Sequence, residues 1–189
     1  NKQICAELEA MAKTLYDYWF TQFDFPNADG KPYRTFGGEL VWNDQLKRKI
    51  PKGWEPGTIN SILQIDNTTV DPRKMGKTIM EHYSIPAFDA NHSPAYEPAD
   101  MIESGKYMVS AECILTSKLN PHFKRLWDPY CDTENAICST EFIVYRPKEA
   151  WMRPFCYAVL DSEAFYAHMV GNATASTGSR KRIQPAVSA

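Results

Sequence analysis

Apolar side chains recur along residues 3 to 23 at alternating steps of four and three: Ile4, Leu8, Met11, Leu15, Tyr18, closing on Gln22 with Phe23 beside it. This is the a/d seam of a coiled coil, and it predicts a helix packed along one stripe. Lys2, Glu7, Glu9 and Lys13 occupy the opposite face. Tyr16, Tyr18, Trp19, Phe20, Phe23 and Phe25 make the C-terminal end of that helix strongly aromatic. Pro26 is expected to stop it, and residues 26 to 53 carry Gly30, Pro32, Gly37, Gly38, Pro51 and Gly53 without regular apolar runs, the composition of a connecting segment.

From Trp54 onward the pattern shortens. Runs rich in β-branched and apolar residues predict strands at Thr58 to Ile65, Lys106 to Leu115, Ile137 to Tyr145 and Phe155 to Leu160. Residues Ser162 to Val170 predict a short helix, with Ser162 as its cap, Glu163 in its first turn, and Phe165, Tyr166 and Met169 on its apolar side. No repeat is visible. The alternation of strands and helices implies a mixed α/β or α+β domain over 54 to 189.

Composition narrows the class. The chain has 189 residues, enough for one domain with a sizeable core and room for an appendage. Lys and Arg number 21 against 23 Asp and Glu, a net charge of -2, so any anion-binding surface must come from local clustering. Five cysteines (Cys5, Cys113, Cys131, Cys138, Cys156) form no CxxC pair and cannot all be bridged within one chain, which implies a reducing, cytoplasmic setting. No apolar run approaches the roughly 20 residues of a membrane span. The start at Asn1, inside a helical pattern, reads as that of a fragment.

Catalytic motifs are largely missing. A nucleophile and base would need Cys113 or Cys138 beside His82, His92, His122 or His168, but both thiols lie in apolar strands where an inert buried cysteine is expected. His and Cys show none of the short paired spacings of zinc sites. In GNATASTGSRKR (171–182), Ser179-Arg180 stands where a P-loop has Lys-Ser/Thr. SPAY (93–96) lacks the second proline of the amino-methyltransferase tetrad, and Glu103 and Lys106 are spaced ExxK rather than the ExK of common nucleases.

Two basic loops remain. SKLNPHFKR (117–125) sets Lys118, Asn120, His122, Lys124 and Arg125 around a proline-directed turn with a local charge of +3. Lys and Arg there can contact phosphates and Asn120 or Arg125 a base edge. ATASTGSRKR (173–182) supplies Ser176, Thr177 and Ser179 before the run Arg180, Lys181, Arg182, suited to a sugar-phosphate backbone. Residues 26 to 53 also carry +3, from Lys31, Arg34, Lys47, Arg48, Lys49 and Lys52 against Asp29, Glu39 and Asp44, read as a solvated loop.

Five segments match a known pattern in order: LYDYWFTQFDFPNADGKPYRTFGGELVWNDQLKRKIPKGW (15–54), YSIPAFD (83–89), ILTSKLNP (114–121), NAICSTEFIV (135–144) and ATASTGSRKRI (173–183). Together they resemble the specificity subunits of type I restriction-modification enzymes, over nearly the whole chain. The first resembles the junction where a conserved helix passes into a target recognition domain.

The resemblance implies a conserved spacer and dimerisation helix at 1–25, a connecting segment at 26–53, and a DNA target recognition domain at 54–189 with a twisted β-sheet and short helices. Ile4, Leu8, Met11, Leu15, Tyr18 and Gln22 would then pair with a second conserved helix in an antiparallel coiled coil that sets the distance between two half-sites. The partners implied are double-stranded DNA, modification subunits that methylate adenine, and a restriction subunit that translocates and cuts. S-adenosylmethionine, ATP and Mg would belong to those partners, with no cofactor in this chain. Two alternatives stay open: a stand-alone Cys-His hydrolase using Cys138, and an unpaired half-subunit or anti-restriction decoy of the same family.

Overall fold

The computed structural model describes residues 2–177 and 180–188, and the chain divides into two compact units, residues 1–58 and 59–189. The first begins with α1 (Lys2–Tyr16), which passes into a π-helical turn over Asp17–Thr21, where the Gln22 N–H reaches back five residues to the Asp17 carbonyl at 2.8 Å. The chain leaves the helix at Phe23, in the left-handed region (φ 66°), before Pro26 is reached. Ile4, Leu8, Met11 and Leu15 are 48 to 67% exposed, so the predicted seam faces outward along its length.

The stretch read as a connector is folded. Trp54 stacks on Phe25 (5.0 Å, 19°) and meets Phe23 edge-on at 5.7 Å, while Tyr33 stacks on the other partner of the pair, Phe25, at 4.8 Å. Asp24, nearly buried, accepts from the Thr35 N–H and Oγ1 at 2.7 Å each. A hairpin of β1 (Leu40–Asn43) and β2 (Arg48–Pro51) completes the unit. Glycine and proline content flagged turns here correctly, but ring contacts far apart in sequence hold them together.

In the second unit α2 (Ile59–Ile62), β3 (Leu63–Ile65), β4 (Thr69–Val70), β5 (Ile79–Tyr83), α3 (Ile85–Asn91), β6 (Ala95–Pro98) and β7 (Lys106–Met108) come first. β8 (Ile114–Ser117), β9 (Leu126–Trp127), β10 (Ala136–Cys138), β11 (Phe142–Pro147), α4 (Arg153–Asp161), α5 (Glu163–Gly171), β12 (Thr174–Thr177) and β13 (Arg180–Arg182) follow. They build a five-stranded sheet, β4-β7-β10-β5-β6, in which β10 runs parallel to β5, and a four-stranded antiparallel sheet, β3-β11-β8-β9. The expected mixed α+β class is what the fold shows.

β11 explains the layering. Phe142 and Val144 point into a cluster with Tyr83, Leu115, Trp127 and Cys138 between the sheets, while Ile143 and Tyr145 point the other way, onto Leu160, Phe165 and Met169 of the helices. A strand buried on both faces reads as a continuous apolar run. A third cluster, Met80, Ala99, Ile102 and Ile137, covers the outer face of the five-stranded sheet.

Three predicted strands divide differently. Ile59 and Ile62 lie one helical turn apart and pack on the same core, so 58–65 is a turn of helix followed by a strand. The Ser110 carbonyl accepts from the Cys113 N–H (2.9 Å) and the Ser139 carbonyl from the Phe142 N–H (3.0 Å), so tight turns break 106–115 and 137–145 into strand pairs, the second reinforced by Ser139 Oγ, which takes the Glu141 N–H (3.2 Å). Residues 155–160 are helical, not extended: Pro154 sits in the first turn of α4 and Cys156 and Leu160, four apart, share its buried face. The helix predicted at 162–170 is present as α5, with Ser162 Oγ accepting from the Phe165 N–H at 3.2 Å.

Candidate nucleic-acid interface

The two basic loops, about sixty residues apart in sequence, lie side by side. The Asn120 N–H donates to the Lys181 carbonyl (2.7 Å), the Lys181 N–H to Asn120 Oδ1 (2.9 Å), and the Ile183 N–H to the Lys118 carbonyl (3.1 Å). Leu119 and Arg182 form a β-bridge. Asn120 adopts φ 49°, a left-handed conformation that asparagine tolerates better than most residues.

The docked partner is itself a hairpin. β12 and β13 pair antiparallel, with a bulge between Ala175 and Thr177. Glu141 anchors it to β11's approach: its carboxylate accepts from Arg182 Nη2 (2.6 Å) and Nε (3.0 Å), and its carbonyl from the Lys118 N–H (2.9 Å). The Arg182 guanidinium holds the Glu141 carboxyl below its ordinary range.

These bonds sort the sequence candidates by what their charges already touch. Arg125 is tied bidentately to Asp89 (2.7 and 2.9 Å) and only 12% exposed, Lys124 bonds Asp161 and lies over the Tyr166 ring, and Arg182 is held by Glu141. Arg180 and Lys181 are exposed and have no ion pair or side-chain hydrogen bond among the described residues. His122 is exposed beside the Phe123 ring (4.2 Å), and Lys118 is half-buried. Ser176 and Thr177 fall in β12, whereas Ser179 lies outside the described residues.

Beside the hairpin opens a groove of about 790 Å³, at the C-terminal end of β5. Apolar walls from Ile85, Pro86 and Leu119 surround His82, Glu97 and Arg180. His82 Nδ1 and Glu97 Oε1 are 2.5 Å apart, and His82 Nε2 is buried with no partner among the described residues. Burial depresses the His82 pKa, and Glu97 opposes that only in part. The neutral ring with Nδ1–H donating to Glu97 satisfies both facts, because a charged ring would bury an unpaired Nε2–H. Lys106 approaches the same wall with its Nζ held by the Ser104 carbonyl (2.8 Å) and Oγ (2.7 Å). The sequence offers His82 only as a base for a cysteine, and Glu97 not at all, because the two meet through the register of neighbouring strands joined by a helix.

Nothing in the geometry favours thiol chemistry. Cys113 and Cys138 are fully buried, and burial pushes the Cys138 thiol far above its usual value. Among the described residues there is no cluster of His, Cys, Asp and Glu that could hold a metal ion, and no helix is long and apolar enough to cross a membrane.

No family model matches the chain. Over 85 residues, 45% of this chain, it is 31% identical to the type I restriction enzyme MjaIX specificity subunit of Methanocaldococcus jannaschii. Two solved structures share the fold across 75% of the chain: one concerned with complex assembly and conformational transition of the type I R-M system (TM-score 0.63), and the HsdS subunit of Thermoanaerobacter tengcongensis (TM-score 0.61), each 19% identical. The matched region is 17% of the archaeal subunit's length and 37% of each solved chain.

Proposed function

We propose, for a chain related in sequence and fold to type I restriction specificity subunits, that it reads one half of a split DNA target within a restriction-modification complex. The observation that carries this reading is the clamped pair of basic loops, which holds Arg180 and Lys181 outward with no internal ion pair among the described residues. Such cations gain most from displacing counterions on a phosphate backbone. Lys118 and His122 flank them, while Asn120, Lys124, Arg125 and Arg182 hold the loops in register for that contact.

The outward seam from Ile4 to Gln22, along α1 and the π-helical turn that follows it, is the surface for a second conserved helix, and the aromatic unit around Trp54 is a junction for a modification subunit. Methylation of adenine with S-adenosylmethionine, and ATP- and Mg-dependent restriction, belong to partner subunits, so the chain directs catalysis in the cytoplasm without performing it. The buried Cys138 argues against the hydrolase reading. Binding of the native full-length protein to a randomised duplex pool, followed by sequencing of the bound fraction, tests the proposal: one enriched motif supports it, and recovery of unselected DNA at every salt concentration overturns it. Native mass of the same protein separates a paired subunit from a self-dimerising half.

A further inference from the structure

The groove beside the hairpin is lined by two carboxylates, Glu141, which is tied to Arg182, and Glu97, where a DNA-facing surface would be expected to hold only cations. Glu97 is on the edge strand β6 and His82 on β5; the register sets His82 opposite Ala95, so Glu97 is its diagonal neighbour on the same face. With Oε1 bound by His82 Nδ1, Glu97 is fixed at one oxygen, and Oε2 takes no hydrogen bond among the described residues. Its side chain is 37% exposed, against 12% for His82. The ring is therefore the packed support and the carboxylate the part that a ligand can reach. Arg180 lines the same groove and comes from the hairpin that the proposed function places on the phosphates.

We propose that Glu97, braced by His82, is a specificity-determining residue that accepts a hydrogen bond from the N4 amino group of a cytosine in the major groove. This rests on the DNA-reading function above. A free, oriented carboxylate oxygen can only accept. Guanine and thymine present acceptors at their major-groove edges and are repelled; adenine offers an amino group but sets its N7 acceptor beside it; cytosine offers the amino group without an acceptor of its own alongside. A phosphate set against Glu97 itself would be repelled, so the carboxylate also disfavours registers that bring the backbone onto it. His82 is a positioning residue: it acts through Glu97 and touches no base.

The test is motif selection from a randomised duplex pool by the native full-length protein, side by side with E97A, E97Q, H82N and H82L, each checked for an unchanged thermal unfolding profile. Wild type should enrich a motif with cytosine at one position. E97A should flatten that position, a loss of roughly 5- to 150-fold in discrimination, and leave the others intact. In E97Q the amide oxygen still accepts from His82, which turns the free atom into a donor, so the position should move to a base presenting an acceptor. H82N retains a donor near Nδ1 and should keep cytosine, whereas H82L should lose it. An unchanged motif in E97A and E97Q, or loss of every position together, overturns the assignment while leaving DNA reading intact. A wild-type protein that enriches no motif overturns DNA reading itself, and the role of Glu97 with it.

Discussion

Asn120 and Lys181 exchange two hydrogen bonds, the Asn120 N–H to the Lys181 carbonyl at 2.7 Å and the Lys181 N–H to Asn120 Oδ1 at 2.9 Å, and so join a loop from the middle of the second unit to the hairpin near its C-terminal end. A side chain that the sequence offered as a base reader thus caps a strand of its neighbour. Asn120→Ala should destabilise the protein by about 1–3 kcal/mol, by orphaning the Lys181 N–H and by forcing alanine into φ 49°. Asn120→Gly relieves the backbone but not the lost bond and should cost less. Urea denaturation of both variants measures the difference; equal costs would show that the backbone conformation is not strained.

Arg180 and Lys181 should behave alike and unlike Arg182. Alanine at either of the first two is expected to weaken binding to all duplexes and reduce the slope of log affinity against log salt by about 1, with unfolding unchanged. Arg182→Ala breaks the Glu141 bidentate pair and should loosen the hairpin, seen as faster amide exchange over residues 174–183. Unfolding and exchange measured alongside a salt titration distinguish the two classes.

The same pair predicts an acid response. The folded-state pKa of Glu141 is lowered by Arg182, so its contribution to stability is complete above the ordinary carboxylate range and is lost as pH falls through and below it. Hairpin protection against exchange should therefore be constant from neutral pH down to about 5 and then decline relative to the rest of the sheet. Glu141→Gln, which cannot ionise, should abolish that additional decline.

Arg125 separates a structural role from a reading role. Its pairing with Asp89 is bidentate and little exposed, so Arg125→Ala should cost about 1–2 kcal/mol of stability and Arg125→Lys should not fully restore it, a single ammonium being unable to reproduce the fork. Relaxed specificity at one base position with unaltered stability would instead identify Arg125 as a base reader.

Thiol labelling gives the remaining check. Cys5 is exposed and should react promptly with a maleimide at neutral pH, while the buried Cys113, Cys138 and Cys156 should react only as fast as the protein unfolds. Rapid modification of Cys138 in the native protein would revive the hydrolase alternative.

Sequence periodicity by itself determined the amphipathic α1 and the capped α5, because each expresses a local repeat or a local cap: a four-three stripe, and a serine before an acidic first turn; the apolar run over 137–145 marked strand, but not the turn that divides it into β10 and β11. Local charge clustering located the two basic loops, and five matched segments carry the resemblance to specificity subunits. Periodicity misassigned α4, since six apolar residues satisfy a strand as well as a helix until packing of Cys156 and Leu160 on one core decides between them. Tertiary structure alone decided which cations carry an ion pair among the described residues. Lys124, Arg125 and Arg182 equal Arg180 and Lys181 in charge, and only the arrival of Asp161, Asp89 and Glu141 from other elements distinguishes them. The pairing of His82 with Glu97 is of the same kind: strand register creates it, and register is a property of the folded sheet rather than of either segment.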